Sequence, residues 1–189
     1  MAYITDSFDD EIVRRLKAGA VGLIPTDTIY GLSCRALDRQ AVEHIHRLKD
    51  RSAHKPFIIL VSDIKMLDLL SISQDQAESA KKYWPGRLSA IFQSAANDFL
   101  TQGTSTLAVR VPDYSELRRL INEVGPIVST SANIEGGEPM KTAQEAQKLF
   151  GDELDFYLDV GKLDNPPSTL AVIESGRLKA VRQGAVKID

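Results

Sequence analysis

Short apolar runs that alternate with amphipathic stretches constrain this chain more than any other feature. Residues 21–25, 57–61, 88–92, 107–111 and 127–130 are mainly apolar segments of strand length, polar only at Ser89, Arg110, Ser129 and Thr130. Residues 7–20, 38–50, 63–70, 75–83, 115–124 and 142–150 read as helices between and beyond them. In the first helix Ile12, Val13 and Leu16 share a face behind a polar start at Ser7, Asp9 and Asp10, and in the second Val42, Ile45 and Leu48 form the apolar stripe. Strands that alternate with helices predict an α/β fold, because a sheet must have its apolar faces covered. The run 57–61 has no polar interruption and suits a strand buried on both faces. Trp84-Pro85-Gly86 and Gly125-Pro126 punctuate the pattern, with a polar loop at 94–103 and an irregular stretch at 131–140. Residues 154–188 read as short strands separated by Gly161, Asn165-Pro166-Pro167 and Ser175-Gly176, adding antiparallel or mixed pairs to the sheet. With no repeat, low-complexity tract or linker, one domain over residues 1–189 is expected.

Composition removes several function classes. The formal net charge is −3, so a general affinity for nucleic acid or anionic membrane has no support, and any anion site must come from local clustering. Cys34 is the only cysteine, which excludes a disulfide framework and a thiolate zinc site and suits a reducing compartment. Residues 1–9 lack the basic start and apolar run of a signal peptide. The longest apolar runs fall far short of the roughly 20 residues that span a bilayer. A cytoplasmic location away from membranes is expected.

The segment 25–61 carries the densest chemistry and reads as the core of a site for a phosphate-bearing ligand. Pro25-Thr26-Asp27-Thr28-Ile29-Tyr30-Gly31-Leu32 follows a strand, where α/β sheets bind ligands, and Gly31 permits close backbone approach. The plainer alternative is a capped turn, with Asp27 and Thr28 satisfying backbone groups. Lys49-Asp50-Arg51-Ser52-Ala53-His54-Lys55-Pro56 places three cations at and beyond a helix end. Lys49 there complements the helix dipole, but Arg51 and Lys55 lie past its reach and favour phosphate. Arg110, inside the strand 107–111, is either an arginine on a solvated face or a carboxylate clamp. Ser129-Thr130-Ser131-Ala132-Asn133 ends another strand with groups suited to phosphate or ribose, or simply to a polar turn. Pro167-Ser168-Thr169-Leu170 and Arg182-Gln183-Gly184 are weaker signals of the same kind. The chain has no G-x-x-x-x-G-K-[ST] loop, no G-x-G-x-x-G fingerprint and no G-x-S-x-G elbow. His44 and His46 do not share a helix face, so a histidine metal site is not expected.

Taken together, the motifs P-T-D-T-I-Y-G-L, L-K-D-R-S-A-H-K-P, W-P-G-R-L, L-A-V-R-V-P, S-T-S-A-N, P-S-T and R-Q-G resemble, in order, those of the YrdC-like family of threonylcarbamoyl-AMP synthases, over residues 12–185. The resemblance implies a twisted mixed β-sheet flanked by helices, with a basic concave cavity. It implies a nucleotidyltransferase that joins L-threonine, bicarbonate and ATP, with Mg²⁺ accompanying the ATP and no protein metal site. The product would pass to a threonylcarbamoyl transferase complex that modifies tRNA, so contact with tRNA would be indirect. By motif, Thr28, Arg110, Ser129 and Ser168 would hold the threonine. Lys49, Arg51 and Lys55 would surround the phosphates, Lys49 and Arg51 as catalytic groups, and Thr106, Ser131, Asn133 and Arg182 would complete the ATP site. Ser33, Arg87, Ser89, Leu60, Pro139 and Gln183 depart from the commonest family pattern, Leu60 standing where some relatives have histidine near the threonine. The lack of an extra C-terminal domain resembles the short bacterial type. Two rivals remain at this point: a double-stranded RNA-binding or ribosome-maturation module, and a paralogue without synthase activity.

Overall fold

The computed structural model describes residues 1–49, 57–134 and 136–188. In chain order the elements are β1 (Tyr3–Thr5), α1 (Asp10–Lys17), β2 (Gly22–Pro25), β3 (Tyr30–Arg35), α2 (Arg39–Leu48), β4 (Ile58–Leu60), α3 (Glu78–Lys81), β5 (Leu88–Gln93), α4 (Asp98–Thr101), β6 (Thr106–Arg110), α5 (Ser115–Val124), β7 (Ile127–Ser131), α6 (Ala143–Phe150), β8 (Phe156–Leu158), β9 (Thr169–Glu174) and β10 (Arg177–Arg182). Short 3₁₀ helices cover Ile64–Leu70, Gln74–Ala77 and Gly151–Glu153. The helix starts follow local chemistry. The Asp9 carboxylate accepts the Ile12 N–H at α1, Asp38 caps α2, and Thr142 with Glu145 forms a capping box at α6.

All the strands join one sheet in the order β1-β8-β2-β3-β7-β4-β6-β5-β9-β10. It is mixed, as expected: β4 runs parallel to β6 and β5 to β9, while β3–β7, β4–β7, β5–β6 and β9–β10 are antiparallel. Cross-strand partners share a sheet face. One continuous row therefore runs Ser33, Ser129, Ile58, Ala108, Ile91, Val172, Lys179. The opposite face, with Leu23, Leu32, Ile59, Val109 and Val128, builds the larger core against α2, α4 and α6. On the row's own face, α1 and α5 cover only part of the sheet, packing Ile12, Leu16, Leu117 and Ile121 over Ile24, Leu60 and Ile127. Among the described residues no helix packs over the remainder of that face, and there a ligand can reach the strands.

Several expectations needed revision, among them the helix over 75–83, which is instead a 3₁₀ turn at Gln74–Ala77 followed by the short α turn Glu78–Lys81. β3 lies in a segment read as a turn and rim; its Tyr30, Leu32 and Cys34 enter the larger core, while Gly31 and Ser33 face the other way and stay small. The stretch 63–70 is 3₁₀ rather than α, and Leu67 and Leu70 are buried at the spacing of three that a 3₁₀ helix eclipses. The loop 94–103 contains the single turn α4, which buries Leu100 and Thr101. β1 was not anticipated from its short run at all; it is an edge strand held by parallel pairing to β8.

Candidate active site

A cavity of about 260 Å³ opens on the uncovered sheet face, bounded by Thr28, Gly31, Arg110, Ser129, Ser168 and Arg182 over an apolar floor of Ile58, Ala108 and Leu170. Its volume is just under the roughly 300–1,000 Å³ usual for small-molecule sites. Ser131 and Pro139 also line it.

The turn between β2 and β3 makes one wall. The Thr26 hydroxyl accepts the N–H groups of Thr28 (3.1 Å) and Ile29 (3.2 Å), and Thr26 N donates to Ile29 O at 3.2 Å. This self-satisfied turn presents Asp27 and Thr28 towards β6. There Arg110 Nη1 donates to Asp27 Oδ1 at 2.8 Å and to Thr28 Oγ1 at 3.2 Å. The side chains of Asp27 and Arg110 are only 3% and 4% exposed. The solvated-face alternative for Arg110 is thereby overturned: alternation sets it opposite Val109 and Val111, but that side is the cavity, not bulk water. Burial pushes the Arg110 pKa down, Asp27 opposes this, and the charges of Arg87 and Arg182 add to the downward push. Arg110 thus feels the charges of two further guanidinium groups besides that of its partner Asp27. On the floor, a Cβ on Gly31 would lie 2.5 Å from Ser129 Oγ, so the glycine leaves this hydroxyl its space.

The opposite wall comes from the C-terminal strands. A bulge between Ala180 and Arg182 shifts the β9–β10 register, so that Arg182 rather than Val181 stands across from the cavity-lining Leu170. Arg182 Nη2 donates to Ser168 O at 3.0 Å. Ser168 Oγ lies 2.9 Å from Ser89 Oγ, with both residues buried. Ser89, one of the departures from the family pattern, is thus a direct support for a cavity hydroxyl.

The structure brings Thr28, Arg110, Ser129, Ser131, Ser168 and Arg182 to one cavity. It does not bring every expected residue there. Thr106 shares the cavity face of β6 but sits at the strand's start, beside Thr104 Oγ1 at 3.0 Å, outside the lining. Leu60 is fully buried under α1 and α5, which explains why an apolar residue suffices there. Arg51 and Lys55 lie outside the described residues.

Lys49 lies beside the S-T-S-A-N turn, 3% exposed. Its ammonium does not enter the cavity but donates to Ser131 O (2.6 Å), Asn133 O (2.8 Å) and Asn133 Oδ1 (2.7 Å). Asn133 Oδ1 also accepts from Ser131 Oγ at 2.7 Å, and its amide donates to Gly137 O. In the ligand-free chain Lys49 and Asn133 thus hold the S-T-S-A-N turn, and Ser131 is the member of that set that lines the cavity. The physical reason is burial: Lys49 is 3% exposed, and an ammonium there must have its N–H groups taken by acceptors. Lys49→Met should lower the stability of the ligand-free protein by about 3 kcal/mol or more, since buried acceptors lose a charged donor. A denaturation midpoint unchanged from that of the unsubstituted protein would defeat the anchor assignment.

Asp27 and the floor residues Ile58 and Ala108 are the parts of the site that motif reasoning missed. Asp27 was visible in the sequence but equally suited to capping its own turn.

The fold and this site define a member of a known family: the Sua5/YciO/YrdC model, described as telomere recombination, matches residues 14–184. The chain belongs to that family. It is 36% identical over 160 residues to the threonylcarbamoyl-AMP synthase of Idiomarina loihiensis, covering 80% of this chain and 86% of that protein. It is 31% identical over 165 residues to the threonylcarbamoyl-AMP synthase of Vibrio vulnificus, covering 82% and 89%. The crystal structure of P. abyssi Sua5 complexed with L-threonine superposes with a TM-score of 0.85 at 27% identity, covering 97% of this chain. This chain spans 57% of the length of that Sua5 chain.

Among the described residues, no helix is long and apolar enough to cross a membrane. Among the same residues, no group of three or more His, Cys, Asp or Glu side chains is placed to hold a metal ion.

Proposed function

We propose that this chain is an L-threonylcarbamoyladenylate synthase, a nucleotidyltransferase that forms threonylcarbamoyl-AMP and pyrophosphate from L-threonine, bicarbonate and ATP. The observation that carries the reading is the buried, Asp27-paired Arg110 facing a hydroxyl-lined cavity in a chain whose relatives bear that name. Arg110 takes the threonine carboxylate, because a guanidinium offers a fork of donors in a water-poor setting. The hydroxyls of Thr28, Ser129 and Ser168 orient the amino acid over Ile58 and Ala108. Ser131 and Arg182 lie on the nucleotide side, with Arg51 and Lys55 supplying phosphate contacts and Thr106 an outer ATP contact.

The threonine amine forms a C–N bond to the bicarbonate carbon with loss of water. A carboxylate oxygen of the resulting N-carboxythreonine then bonds to the α-phosphorus of ATP, and the bond to the β-phosphate bridging oxygen breaks, releasing pyrophosphate. No side-chain nucleophile is needed; positioning and fixed positive charge supply the rate. Mg²⁺ would enter as part of the ATP substrate and would supply neutralisation of the phosphate charge. The hydroxyls and guanidinium groups of the cavity are chemistry for anions, which suits a metal that arrives with its phosphates. The adenylate would be passed to a threonylcarbamoyl transferase acting on tRNA, in the cytoplasm.

The test is pyrophosphate release from the purified chain. Release is expected only when threonine, bicarbonate, ATP and Mg²⁺ are all present. Release that continues unchanged without threonine sinks the reading.

A further inference from the structure

Asp27 has a buried carboxylate that the reaction as written does not use. Its two oxygens are engaged separately: Oδ1 accepts from Arg110 Nη1 at 2.8 Å, and Oδ2 accepts from the Asp113 N–H at 3.1 Å. It therefore ties the β2–β3 turn both to the cavity arginine at the end of β6 and to the segment leading into α5. It does not itself line the cavity. Arg110 is pressed by burial and by the charges of Arg87 and Arg182, and Asp27 is its only ion-pair partner among the described residues. A long cationic side chain so placed moves outward to water unless something holds it. Arg110 Nε is buried with no hydrogen-bond partner among the described residues, so the guanidinium is held through Nη1, by Asp27 and Thr28.

We propose that Asp27 is a positioning residue for substrate selection: by fixing Arg110 through Nη1 it aims the rest of the guanidinium at the α-carboxylate of the amino acid, so that the site selects a carboxylate-bearing substrate. This rests on the reading of the cavity as a threonine site. Asp27 acts through Arg110 and touches no substrate atom. A merely structural role, holding the turn to Asp113 N, is the competing account, and the two differ in what they do to ligands with and without the carboxylate.

The experiment is calorimetric titration of the full chain with L-threonine and with L-threoninamide, in which the carboxylate is replaced by a neutral amide. The unsubstituted protein is expected to favour threonine by about tenfold or more, the worth of one charge-assisted hydrogen bond. In Asp27→Asn this preference should collapse towards equality, with the affinity for threoninamide unchanged. Equal weakening of both ligands, or no change in either, overturns the positioning role. Should Asp27→Asn fail to fold, Asp27→Glu, which keeps the charge but shifts it by one methylene, is expected to lose the same preference, and retention of it overturns the proposal. If the unsubstituted protein binds neither ligand, the threonine reading itself fails, and this inference with it.

Discussion

Arg110→Ala is expected to reduce kcat/KM for threonine by about 100-fold or more while leaving KM for ATP within about threefold of its starting value, because the lost contacts are charge-assisted hydrogen bonds made to one substrate only. The same substitution is expected to destabilise the protein by roughly 3–5 kcal/mol, since it strands a buried carboxylate without its cation. The two effects separate in the double variant Asp27→Asn/Arg110→Met. A neutral pair of similar bulk removes the stranded charge, so the denaturation midpoint should recover much of its loss while threonine use should not. Denaturant unfolding and threonine-dependent pyrophosphate release are the two measurements. Threonine use that recovers together with stability would show that Arg110 matters only to folding. A rise in KM for ATP equal to that for threonine would remove its assignment to the amino acid.

The Arg110 case also shows where sequence reasoning stops. The strand around it is legible because Leu107, Val109 and Val111 leave little else possible, and alternation sets Arg110 opposite Val109 and Val111. Alternation does not say whether that other side meets solvent, a helix or a cavity. That depends on how far α1 and α5 extend over the sheet, which is a property of packing between elements distant in the chain. Leu60 and Arg110 are register partners on the same face, yet one lies in the core under those helices and the other in the cavity. The runs at 57–61, 88–92, 107–111 and 127–130 predict strands, and β4 to β7 occupy them, because each is short and mainly apolar, as a sheet covered on both faces requires. β3 is harder to read for the opposite reason. Its Gly31, Ser33 and Arg35 alternate with Tyr30, Leu32 and Cys34, and the small members that let the cavity form also make the segment look like a turn. Lys49 illustrates the same limit for charge: a cation in a phosphate-like motif and a cation tying down a neighbouring turn have the same sequence. In the structure Lys49 is buried and donates to the carbonyls of residues 131 and 133, a use that the motif alone does not reveal.

Gly184→Ala is expected to damage the use of both substrates, in contrast to the selective effect at Arg110. A Cβ on Gly184 would lie 2.3 Å from Pro167 O and 2.6 Å from both the carbonyl carbon and oxygen of Ser168. All three are backbone atoms, so no side-chain rotation relieves the clash. The segment after β10 must instead move away from residues 167–169. That segment is closely stitched: Gly184 N and Val186 N each donate to Thr169 Oγ1 at 3.0 Å, Thr169 Oγ1 donates to Val186 O at 2.6 Å, and Ala185 N donates to Pro167 O at 2.9 Å. Restoring an ordinary contact needs a shift of about 1 Å, and a displacement of that size in a positioned site costs on the order of 100-fold in rate. Overpacking of this kind also destabilises by about 1–3 kcal/mol. Because the shift moves Arg182 against Ser168, which it contacts at 3.0 Å, the groups assigned to ATP and to threonine lose their registration together. Steady-state pyrophosphate release with each substrate varied in turn, on protein shown to be folded by circular dichroism, is the measurement. A folded Gly184→Ala variant with unaltered kcat/KM for both substrates would mean that the close packing of R-Q-G on P-S-T serves the fold and not the site.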